Sequence, residues 1–362
     1  MNESRASSRG LQALAGLSLV LFCSSCRGLP EPGVVIDRGV IQKELFAEEA
    51  WLKRVSSISR VGSLVWVSGE HGALSLSGRG RVRSVVRFDA RVGTVIPFDW
   101  DGDGDVEFLN TGGGWQPVSL MDGQGRTQWQ LDGWSPAPND LTAGDLSGNG
   151  RIGFVVGFNG GGGVARLDAR GQRVWERSGS NVFTVEVADV DGDGTVEILH
   201  SSHGDGIVIR DAGGTQLRTL DVTSGPFSLT RWPALGDQQW IAHSGNGTLD
   251  LVDFAGELRG RLPLPVGGFS VNQAIPVRLR AGEPNDVHFA VVRTIHATGR
   301  RSALFLYDSD GKLIYTEVFL ASRLALAAIP DEQTGAEVLL VGAQSRVFAY
   351  RLKRADGEQR DP

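Results

Sequence analysis

From about residue 39 the chain repeats one pattern of apolar and polar positions. An apolar run is followed by an acidic or polar turn, a second apolar run and a Gly-rich turn. An alternating run ending in Asp comes next, then another Gly turn and a last alternating run. Short runs of period two, bounded by Gly and Asp, predict β-strands joined by tight turns. The second Gly turn has an Asp-x-x-Gly corner, seen at Asp168–Gly171, Asp211–Gly214, Asp253–Gly256 and Asp308–Gly311. Four strands per repeat of about 44 residues is the unit of a β-propeller blade.

Seven repeats fit. The first is centred on residues 63–76 and the next three carry acidic loops. The fifth, sixth and seventh have degenerate loops at 232–240, 278–286 and 330–337. The predicted fold is an all-β, seven-bladed propeller of four-stranded antiparallel blades over residues 39–354. The seventh repeat lacks a clear last strand, and a surplus strand, residues 40–46, precedes the first. Pairing that N-terminal strand with the C-terminal blade would close the ring and remove exposed edges.

The acidic loops supply the candidate chemistry. Asp99, Asp101, Asp103, the carbonyl of Asp105, and Glu107 stand at positions 1, 3, 5, 7 and 9 of one loop. Asp189, Asp191, Asp193, the carbonyl of Thr195, and Glu197 repeat the set. Oxygens at alternate positions, with Gly between them, suit a hard cation that takes six to eight oxygens, which is Ca²⁺. The loop between them offers Asp145, Ser147 and Asn149 but has Gly153 at position 9, so weak binding or none is expected. No Glu sits at position 12 and strands flank the loops, which excludes a helix–loop–helix hand. The plain alternative is that Asp-Gly runs are surface turns.

The chain has 362 residues, 50 of them Gly, and a net charge of −6. Bound Ca²⁺ would offset part of that excess. With no basic run, nucleic acid is not an expected partner. Arg5 and Arg9, an apolar run over 11–22 and the small residues after it read as a signal peptide, residues 1–25. The run is too short to span a bilayer as a mature helix. Residues 26–38, with Pro30 and Pro32, read as a tether, and 355–362 as a polar tail. No cysteine follows Cys26, so the folded part has no internal disulfide.

Asp99–Leu109 and Asp189–Leu199, and more faintly 145–157, resemble the FG-GAP/VCBS-type repeats of integrin-alpha-like propellers. The resemblance implies Ca²⁺ in strand-connecting loops and a binding or scaffold role. The Asp-x-x-Gly corners, with Trp129 and Trp175 on outer strands, also resemble quinoprotein-like propellers. Ser24-Ser25-Cys26 resembles a bacterial lipoprotein signal, which implies lipidation at Cys26 and anchoring in the cell envelope. Cys23 stands where such signals carry an aliphatic residue, so cleavage by an ordinary signal peptidase stays open.

In a blade, the second-to-third strand turns lie on the face opposite the acidic loops. That face would gather His71, Trp115, Asn159, His203, His243 and His296, a candidate surface for a protein or glycan. The plain alternative is that these are polar turn residues bonded to backbone or water. No Gly-x-Ser-x-Gly elbow, phosphate loop or Cys–His constellation appears, so no catalytic residues are assigned. Three functions stay open: a Ca²⁺-stabilised extracytoplasmic binding module; a polysaccharide-active or quinone-dependent enzyme with its site over the channel; and an outer-membrane assembly lipoprotein.

Overall fold

The structure, a computed structural model, describes residues 30–353 except 91, 112–116, 132–135, 223–224, 237, 269, 284, 296–299 and 332–333. The expectations for the signal peptide, Cys26, Trp115, His296 and the polar tail lie outside the described residues.

Seven antiparallel sheets follow one another along the chain. Blades 1 to 5 span 55–87, 95–130, 138–177, 185–220 and 227–263, each with four strands in chain order. Blade 7 takes three strands from 325–352. Its fourth is Ile41–Glu48, which pairs with Arg346–Leu352 in the register Ile41↔Leu352 to Glu48↔Arg346. The expected ring closure by the N-terminal strand is therefore present. Blade 6, 270–319, gains a fifth strand: Gly33–Asp37 lies against Leu313–Phe319. This strand falls inside the stretch read as a tether. Four of its five residues are exposed, so it has no apolar face for a period to reveal.

Packing shows that the ring is continuous. The buried apolar residues fall into seven clusters, and each joins one pair of neighbouring blades, including 7 to 1. A blade is thus covered on both faces by its neighbours. Middle strands are mostly buried and some lose alternation entirely, as in Gly153–Phe158 and Glu197–Ser202, buried at every position. Outer strands such as Arg173–Arg177 stay mostly exposed.

Two devices join successive blades. Corner glycines pack on the outer-strand tryptophan of the preceding blade. A Cβ at Gly171 would stand 2.7 Å from Trp129, and one at Gly214 would stand 2.9 Å from Trp175. Both glycines also have left-handed φ, +74° and +86°, which side chains rarely adopt. On the inner side, irregular register in the first strands of blades 1, 3 and 6 precedes Ser57, Asp140 and Gln273. Each of these side chains bonds the backbone of the next blade's first strand. Ser57 Oγ donates to the Val95 carbonyl. Asp140 Oδ2 accepts from Val185 N at 3.0 Å. Gln273 both donates to the Leu326 carbonyl and accepts from its N–H. Such bulges re-aim a side chain, here across the blade boundary.

Candidate metal centres and the opposite face

Both full acidic loops connect the first and second strands of their blades, and they are folded alike. In blade 2, Asp99 accepts from Gly102 N at 2.8 Å and from Gly104 N at 3.1 Å. In blade 4, Asp189 accepts from Gly192 N at 2.7 Å and from Gly194 N at 3.0 Å. Carboxylate oxygens of Asp99, Asp101 and Glu107 lie within 4.8 Å of one another, as do those of Asp189, Asp191 and Glu197. Asp103 and Asp193 stand outside these triads. Their Oδ1 atoms accept the N–H of Asp105 at 2.8 Å and of Thr195 at 2.7 Å. The Asp105 side chain is exposed.

The glutamates set these loops apart from ordinary turns. Glu107 and Glu197 open the second strands and are each only 5% exposed. Burial raises their carboxyl pKa. One N–H, from Trp100 or Val190, opposes that, and three neighbouring aspartates push it up further. No Lys or Arg pairs with either among the described residues. Glu317, 6% exposed, is the instructive control. Its Oε1 lies 2.5 Å from Lys43 Nζ, and its Oε2 accepts from the Tyr315 and Tyr350 hydroxyls at 2.8 Å each. A buried carboxylate without such partners is costly. The donor set of Glu107 and Glu197, all oxygens and mostly charged, fits a divalent hard cation.

The loop of blade 3 differs. Asp145 accepts from Ser147, Asn149 and Gly150 backbone N–H groups, so the turn survives. Gly153 removes the buried carboxylate. Arg166, from the third strand, donates to Ser147 Oγ at 2.5 Å and interacts with the Asp145 charge. The corresponding third-strand positions in blades 2 and 4 hold Leu120 and Ile209.

On the opposite face the structure divides the expected residues. His71 and His203 are exposed, and Asn159 is partly so. His203 lies edge-on to Phe183 at 6.4 Å, and Asn159 Oδ1 accepts the Gly160 N–H. His243 does not join them. It sits in the strand Gln239–Ser244 at 5% exposure, with Nδ1 buried, and burial lowers its pKa. Being one residue from a turn was a poor guide, because second strands are covered on both sides.

Two carboxylates went unnoticed in the sequence. Asp140 and Glu186 lie on the innermost strands Pro138–Gly144 and Val185–Ala188. Both are partly exposed yet surrounded by protein, as side chains at a channel wall are. Burial pushes Asp140 up to about 6. Burial and the Asp140 charge push Glu186 up to about 8. For Glu186 the available signal was an acid inside an otherwise apolar first strand, Val185–Ala188; Asp140 stands beside Asn139 and near Thr142 and had none.

No family model matches the chain, and no curated protein matches it. Solved structures do match. Two of them are crystal structures of BBS1N in complex with ARL6DN, one soaked with lead and one with mercury. Each aligns with a TM-score of 0.55 at 11% identity over 90% of this chain, and covers 98% or 99% of the BBS1N chain. Identity at this level shows the shared propeller fold alone.

Proposed function

We propose that this propeller is a Ca²⁺-fastened binding module that works outside the cytoplasm and engages a protein or glycan on the face opposite the acidic loops. The carrying observation is the pair of buried glutamates, Glu107 and Glu197, each surrounded by aspartates and without a Lys or Arg partner among the described residues. Asp99, Asp101 and Glu107 would hold one ion, and Asp189, Asp191 and Glu197 the other. The ion would neutralise the carboxylates and tie a strand to the loop that enters it. Extracellular Ca²⁺ modules are filled at about 10⁻⁴–10⁻³ M, levels met outside the cytoplasm. The basic, apolar, then small-residue order of the N-terminus agrees with export, and Cys26 with lipid attachment. Protein binding has support from BBS1N, whose propeller is crystallised with ARL6DN.

Calorimetric titration of the chelator-treated protein tests the metal reading. Two Ca²⁺ per chain are expected, and one in Asp191→Ala. No heat of binding, with melting unaffected by chelator, would end it. Envelope fractionation with labelled palmitate tests the address: Cys26→Ser should abolish incorporation.

A second reading rests on the channel carboxylates. Two acids whose environments push their pKa values apart form the pattern of a general acid–base pair. Under that reading Asp140 and Glu186 would act on a polysaccharide. Release of reducing ends that disappears in Glu186→Gln supports it, and an inactive parent protein across acidic and neutral polysaccharides removes it.

A further inference from the structure

The boundary between blades 3 and 4 has the smallest of the buried apolar clusters. Its buried apolar cluster contains only Leu146, Val155, Val164, Val182, Val185 and Ile198. Its one aromatic neighbour, Trp175, is only partly buried, whereas the boundary of blades 5 and 6 buries Trp232, Trp240, Phe289 and Phe305. Beside that thin core lies a polar pocket of about 440 Å³ whose lining includes Arg177, Ser178, His200, Ser202, Asp205 and Arg210.

Two guanidinium groups converge there. Arg177 Nε and Arg210 Nη1 both donate to the Gly214 carbonyl, at 3.1 and 3.2 Å. Neither forms an ion pair with a carboxylate among the described residues. Burial raises the cost of charge on Arg210, and the like charge of Arg177 adds to it. His200 fixes Arg210 without adding charge. Its Nε2 accepts from Arg210 Nε at 3.0 Å and its Nδ1 faces the Ser201 carbonyl at 3.1 Å. It is 4% exposed, and burial, then the Arg210 charge, hold it neutral down to about 4. The lining carboxylate, Asp205, accepts from Ser202 Oγ at 2.9 Å.

We propose that this pocket binds a small hydroxylated oxyanion, a sugar acid or sugar phosphate. Carboxylate and phosphate share the planar pairs of oxygens that a guanidinium edge recognises. Arg177 and Arg210 take the anionic group with the guanidinium N–H bonds left over from those to the Gly214, Glu176 and Gly213 carbonyls and to His200. Asp205 and the hydroxyls of Ser178 and Ser202 accept or donate to sugar hydroxyls. The volume holds a monosaccharide, and the wall offers no exposed aromatic plane on which a nucleobase would stack. The site stands apart from the Ca²⁺ loops and does not depend on them.

Calorimetry on the full chain, with glucuronate, glucose 6-phosphate, glucose and inorganic phosphate, tests this in chelator and in Ca²⁺. At least one anionic sugar is expected to bind in both buffers, and glucose is not. Comparing glucuronate with glucose 6-phosphate separates the two sources of the anion. Arg210→Gln should abolish binding. Because that change also unpairs His200, Ser178→Asp is the second variant. Ser178 is exposed, so melting should hold while affinity falls about tenfold or more, ~1.4 kcal/mol. Three outcomes would overturn the proposal: no binding of either anionic sugar at about 10 mM, undiminished binding in Ser178→Asp, or phosphate alone binding as tightly as the sugars.

Discussion

Glu317, at the blade 6–7 boundary, and Glu197, in the blade 4 loop, are equally removed from water but kept in different company. Glu317 has an ammonium and two phenol hydroxyls. Glu197 has one N–H and three aspartates. A carboxylate that leaves water needs a positive partner or a proton. At Glu317 the chain supplies the partner itself, from the strand that closes the ring. In the blade 3 loop it has deleted the glutamate and brought in Arg166. At Glu186 burial and the Asp140 charge favour the proton. Among the described residues, Glu107 and Glu197 in blades 2 and 4 have no Lys or Arg partner, and under the proposed reading their cation comes from solution. On that reading the ring would contain fastenings that are always made and fastenings that depend on what surrounds the protein.

The largest separation between the two kinds should appear on chelation. A site held at about 100 times its Kd contributes about 2.7 kcal/mol, so emptying two removes roughly 5 kcal/mol. Melting followed by circular dichroism should fall by several degrees in chelator and recover with Ca²⁺. Lys43→Met comes next. Lys43 also lies over the rings of Phe348 at 4.1 Å and Phe319 at 5.0 Å, so its loss unpairs Glu317 and opens an aromatic cage. Breaking a buried pair costs about 3–5 kcal/mol, and the partial exposure of Lys43 lowers the expectation to about 2–3. The loss should be equal in Ca²⁺ and in chelator. A loss seen only in Ca²⁺ would mean the two fastenings are not independent.

The protonated carboxylate gives a smaller, pH-dependent effect. Glu186 has a folded pKa of about 8, raised from 4.5. Between those values the folded state holds a proton that the unfolded state has lost. Stability from this group is therefore full below about 4.5 and declines as pH rises towards 8. Glu186→Gln should melt near the parent temperature at pH 5 and above it at pH 8. A variant that gains as much at pH 5 as at pH 8 would show that Glu186 is charged in the folded protein.

These partnerships differ in how far they could be read from the chain. The blade count came from local signals: a constant period, Asp-x-x-Gly corners and strand-length apolar runs. The closing strand was readable because the last repeat was one strand short. Lys43 and Glu317 lie 274 positions apart, and only the closed ring makes them neighbours. Asp140 and Glu186 look like ordinary polar positions until the inner strands are set around a channel. The same blindness placed His243 on a surface: a period-two pattern says nothing about a strand covered on both faces. Gly33–Asp37 escaped for the opposite reason, being a strand that buries almost nothing.

Blade 3 offers the most discriminating experiment, with the smallest change in stability. If Arg166 stands in for an ion, reversing two of the loop's differences, Gly153 and Arg166, should restore the need for one. Gly153→Glu alone puts a carboxylate beside Asp145 with a guanidinium already at the loop, so Ca²⁺ stoichiometry should stay at two. Gly153 tolerates the change only by adjustment, since its Cβ would lie 3.1 Å from the Leu167 carbonyl oxygen and 3.4 Å from Leu146. Adding Arg166→Leu, the residue type of blade 2, removes the internal cation. The double variant should melt below the parent in chelator, approach it in Ca²⁺, and titrate with a third equivalent. A third equivalent already present in Gly153→Glu would show that Arg166 does not compete for the loop. Its absence from the double variant would locate the difference in Ser147 and Asn149, whose neutral oxygens leave blade 3 two charges short of Asp191 and Asp193.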